Sequence, residues 1–75
     1  MKLNITGEKV FSILKERIMI GPSSSGYKLA YSADGVNFTE YKEATPADTN
    51  VVVNNIPEEC YFKLLGNTDT VTIKY

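Results

Sequence analysis

Apolar and polar residues alternate with a period of two along most of this chain, the signature of strands that bury one face. Leu3 and Ile5 alternate with Asn4 and Thr6 until Gly7 breaks the run. In YKLAYS (27–32), Tyr27, Leu29 and Tyr31 share one face while Lys28, Ala30 and Ser32 share the other. ADG (33–35) couples an acidic side chain that can bond its own backbone to a glycine that takes positive φ at little cost. The chain is therefore expected to reverse there into VNFTEYKE (36–43). VVVNNI (51–56) is β-branched, with Val51 and Val53 inward and Ile56 closing the core. CYFKLL (60–65) and TVTIKY (70–75) supply two more strands, the last with Val71, Ile73 and Tyr75 on one face. Turn formers separate these runs: GPSSSG (21–26), ATPADTN (44–50), Pro57-Glu58-Glu59 and Gly66-Asn67.

The segment KVFSILKERIMI (9–20) has two readings. A strand puts Val10, Ser12, Leu14, Glu16, Ile18 and Ile20 on one face, and needs a bulge or break near Lys15-Glu16 to relieve the inward Glu. A helix stacks Val10, Leu14 and Ile18 at i, i+4 beside Phe11. Its β-branched residues and strand-like surroundings favour the strand. Counting it, about seven short strands recur at turn spacings of roughly 8–12 residues, which predicts an all-β antiparallel sandwich or barrel.

A chain of 75 residues is expected to form a single domain, residues 1–75, with a modest core, because so short a chain buries only about 60–65% of its unfolded surface. Cys60 is the only cysteine, so no disulfide can form within the chain. Without any histidine the nitrogen and sulfur ligands of a zinc site cannot be assembled, and no metal or cofactor is expected. Oligomerisation or docking on a partner is then the favoured source of extra stability.

From Ile18 to Asn67 the order of features resembles a fibronectin type III or related immunoglobulin-like domain. IMIGPSSSG, YKLAYS, ADG, ATPADTN, VVV and IPEECYF follow the family's succession of strand, loop, Tyr-x-apolar-x-Tyr strand, hairpin, loop, strand and corner. The resemblance implies an immunoglobulin-like antiparallel β-sandwich in which Tyr61 is the corner tyrosine, its hydroxyl bonded to upstream backbone. The chain departs from the family in lacking its core tryptophan, and it is short enough for an edge strand to be missing or merged. As a short, Met-initiated, immunoglobulin-like chain, it also resembles the auxiliary proteins that decorate capsids of tailed phages, including crAss-like phages. That resemblance implies a small protein made in the host cytoplasm and carried on the virion.

The net charge of −1 lacks the basic footprint of nucleic-acid binding, and no apolar run approaches the ~20 residues of a membrane span. Neither nucleic acid nor a membrane is an expected partner. A Ser–His–Asp or Cys–His nucleophile needs an imidazole base that the chain does not have. Glu58 and Glu59 are adjacent at a corner, unlike the spaced carboxylates of glycosidases, and no glycine pattern cradles phosphate. Asp34 and Asn37 alone are too few for a calcium loop, so Asp34 reads as the organiser of its turn.

The expectation is therefore a non-enzymatic module that docks on a protein assembly such as a capsid, or on copies of itself. The contact candidates are the loop residues Ser23, Ser24, Ser25, Asp34 and Asp48 together with Tyr41 on an outer face. The alternative is a carbohydrate-binding or adhesion module using Tyr41 with Asp34 or Asn37.

Overall fold

Most strands form where β-branched, aromatic or leucine residues hold one face to the interior and Gly, Pro, Asn or Asp ends the run. The computed structural model describes residues 1–75 and contains no helix. Its strands are β1 (Lys2–Thr6), β2 (Ile18–Ile20), β3 (Tyr27–Ser32), β4 (Thr39–Ala44), β5 (Val51–Val53), β6 (Tyr61–Leu65) and β7 (Thr70–Lys74). They make two antiparallel sheets, one of order β1-β7-β2-β5 and one of order β4-β3-β6. One cluster of 16 buried residues draws on all seven strands, with Ile20, Leu29, Leu64 and Ile73 wholly enclosed. The protein is thus an all-β two-sheet sandwich. Its pairing of β2 with β5, and of β3 with both β4 and β6, is compatible with an immunoglobulin-like arrangement. The last strand differs: β7 lies between β1 and β2 instead of beside β6.

The 9–20 segment corrects the expected face. Only Ile18–Ile20 is a strand, the chain bends at residues 14–16, and Phe11 and Ile13 are buried while Val10 and Leu14 face water, Leu14 at 84% exposure. The reason is tertiary. Phe11 exchanges main-chain hydrogen bonds of 3.0 and 2.7 Å with Phe62 on the outer edge of β6, and the two rings stack at 5.6 Å. That bridge sets the parity of residues 11–13. The bend then resets it for Ile18 and Ile20, at the position where relief of the inward Glu16 was expected.

A β-bulge shapes the β3–β4 hairpin. Leu29 is opposite Lys42 and Ala30 is opposite Glu40, so Tyr41 is the extra residue on β4. Five of the six β4 residues are exposed, and Lys42 shares the core-side face with Leu29. An inward-pointing charge and a bulge are two devices by which an edge strand resists pairing.

The other edges are treated differently. Phe11 covers part of β6, and β5 is only three residues long. β1 keeps an unbroken five-residue register with β7, from Lys2↔Lys74 to Thr6↔Thr70, and has no bulge and no inward charge. Its far side carries unpaired main-chain groups.

Candidate binding surfaces

The GPSSSG loop is held down by its own serines. Ser23 is buried and donates to Asn67 Oδ1 at 2.7 Å. The Ser24 amide and hydroxyl both donate to Asp69 Oδ2 at 2.8 Å, and the Ser25 hydroxyl accepts the Thr68 amide at 3.1 Å. Asn67, itself buried, donates to the carbonyls of Gly7 and Asp69, both at 2.9 Å. The three serines thereby tie the loop to the turn that carries the chain from β6 into the other sheet. The Ser24 N–H, and then its hydroxyl, hold the Asp69 carboxyl below its ordinary range.

Asp34 and Asp48 build turns. Asp34 Oδ1 accepts the amides of Val36 and Asn37 at 2.8 and 2.9 Å and the Ser32 hydroxyl at 2.7 Å, while Oδ2 accepts the Asn37 carboxamide at 3.1 Å. These bonds, led by the Asn37 N–H and then the Ser32 hydroxyl, hold its carboxyl far below the usual range. Gly35 beside it takes φ of 76°, and the Tyr61 ring lies where a side chain at that position would point. Asp34 and Asn37 are therefore engaged with each other. Asp48 Oδ2 likewise accepts the Thr45 amide at 2.7 Å.

Tyr41 is 58% exposed and meets Tyr31 edge to face, with ring centroids 6.0 Å apart. Tyr31 lies opposite Phe62 on the core-side face, as the alternation of residues 27–32 requires, yet is 42% exposed where it lines an open groove. The two rings line a groove of about 350 Å³, together with Val53, Asn54, Asn55, Ile56, Pro57 and Phe62. Asn55 holds φ of 56°, and the Ile56 amide donates to the Glu16 carbonyl at 2.9 Å, which fixes the corner. Cys60 also borders the groove, where burial pushes its thiol up. Tyr61 does not form the expected corner bond. It opens β6 with its ring beside Gly35 in the turn after β3.

Of the six contact candidates, then, Tyr41 lies on an open surface, Ser23 is enclosed, and Ser24, Ser25, Asp34 and Asp48 hold loops in shape. The groove partners Tyr31, Asn54 and Asn55 and the β1 edge were not singled out from the sequence. Asn54-Asn55 after a β-branched run was the one local signal, and nothing in the string placed it beside Tyr41.

Set against protein-family models, curated proteins and solved structures, the chain matches none. The class that fold and surface define is a small two-sheet β-sandwich with one unprotected sheet edge and one uncharged aromatic groove.

Proposed function

We propose that the protein is a non-enzymatic binding module that docks on a larger protein assembly by adding its β1 edge to a strand of the partner. The observation that carries this reading is the contrast among edges. β4 has its bulge and Lys42, β6 has Phe11, and β5 is short, whereas β1 offers five regularly paired residues with nothing to block a further strand. Leu3, half-buried at that edge, would be covered by the added strand.

The assembly we favour is a phage virion, with the immunoglobulin-like sandwich as a capsid decoration protein. The chain's size and the resemblance described above support that choice. Each copy would bury modest area and gain through repetition on a lattice. Peptide mass spectrometry on density-purified particles from the producing culture tests it directly. Many copies per particle are expected, falling sharply for Asn4→Lys, which sets a charge on the exposed face of β1 at the loss of one exposed bond from the Thr72 hydroxyl, with the protein still folded. Protein that stays free in the lysate would end the virion reading. Particle loading that ignores Asn4→Lys would end the edge mechanism.

A further inference from the structure

We infer that the groove between Tyr31 and Tyr41 is a binding site for a neutral sugar ring, separate from the β1 edge. The chain carries 17 charged side chains, yet none of the nine residues lining this groove is Asp, Glu, Lys or Arg. An ionic ligand would find no counter-charge there, and a charged group would lose hydration without return. A neutral ligand loses nothing of the kind.

The shape narrows the class further. Tyr31 and Tyr41 meet at 87°, so one ring can lie flat against the apolar face of a pyranose while the other closes its edge. Exposed Asn54 and Asn55 line the same groove, and a carboxamide offers two donors and an acceptor, the pairing that vicinal hydroxyls need. The volume of about 350 Å³ sits at the low end of the ~300–1,000 Å³ typical of small-ligand sites, enough for one or two rings.

An extended peptide is a poorer fit. It would add main-chain bonds along β4, where the Tyr41 bulge breaks the register and Lys42 occupies the core-side face. What remains is a pocket that works through side chains alone.

Asn55 supplies a clean probe. Its left-handed backbone at φ 56° is one that glycine adopts without strain, so Asn55→Gly deletes the carboxamide and keeps the corner. Alanine there would confound binding with strain.

The test is a titration of the intact chain with lactose, maltose and N,N′-diacetylchitobiose, followed by tyrosine fluorescence and by ¹⁵N-resolved amide shifts. A proline-rich peptide and a sialic acid serve as comparison ligands. At least one neutral sugar is expected to give saturable binding, with shifts confined to Tyr31, Tyr41, Asn54 and Asn55. Tyr41→Ala and Asn55→Gly should each weaken it about tenfold, with the fold kept as judged by the amide spectrum away from the groove. Absence of saturation by all three neutral sugars, stronger binding of the sialic acid, or a response to the peptide alone would each overturn the assignment. Shifts that map to the 33–37 turn would overturn the site.

Discussion

Replacing Tyr27 with phenylalanine should stabilise this protein. The Tyr27 side chain is buried in the core, opposite Ala44, and its hydroxyl is shut from water without a hydrogen-bond partner. An unsatisfied buried hydroxyl costs about 1–3 kcal/mol, and Tyr27→Phe removes that cost. The change leaves an oxygen-sized void of roughly 10–15 Å³, which returns about 0.3 kcal/mol. The net gain is about 0.7–2.7 kcal/mol, at about 4–8 °C in melting temperature per kcal/mol for a domain of this size.

Alkaline pH provides a second readout. Burial first, and the Asp48 carboxylate second, push the Tyr27 hydroxyl from 10.0 up to about 12. Between those values the unfolded chain gives up this proton and the folded chain keeps it, so stability present below pH 10 is lost as pH rises towards 12. That loss amounts to at most about 3 kcal/mol. Other groups titrate in the same window, but the difference between wild type and Tyr27→Phe isolates this one. Urea denaturation at neutral pH and at pH values from 9 to about 12 measures both effects. A destabilised variant at neutral pH would show that the hydroxyl has a partner, a constant difference across the alkaline range would show that it is open to water, and either result would refute the reasoning.

Two further outcomes are expected. Asp34 and Asp69 both have depressed carboxyl values, so their contribution is complete above about 3.8 and is lost as pH falls through their lower folded values. Asp34→Asn with Asp69→Asn should therefore flatten the acid limb of a stability-against-pH curve measured by circular dichroism, and an unchanged slope would contradict the turn-bond origin of the shifts. Lys42→Val removes the inward charge from β4 and should raise the apparent mass in light scattering as concentration increases. Wild-type behaviour up to the solubility limit would mean that the bulge alone protects this edge.

The fold class was legible in the string because period-two alternation records which face of a strand meets the core. Ile5, Val51, Val53, Val71 and Ile73 are buried where that alternation places them. Turn chemistry was equally local: Asp34 bonds residues within three positions of itself, so its role needed no knowledge of the rest of the fold. Where long-range pairing competes with local pattern, the string was ambiguous. Phe11 is buried because Phe62, 51 positions away, pairs with it, and no alternation within residues 9–20 encodes that contact.

The serines show the same limit from the other side. Their composition signals a loop, but their hydroxyls are directed by Asn67 and Asp69, which only the crossing of the chain from β6 to β7 brings near. Tyr31 is the sharpest case. Alternation correctly assigns it to the core-side face, while its exposure depends on how distant segments such as residues 53–57 pack beside it, which a single strand's sequence does not record. Sequence alone therefore determined the strands outside residues 9–20, their turns and the all-β class, because these follow from neighbours one to four residues apart. Tertiary structure alone decided which edges stay open and which aromatics meet the asparagines, because those depend on contacts between segments tens of residues apart.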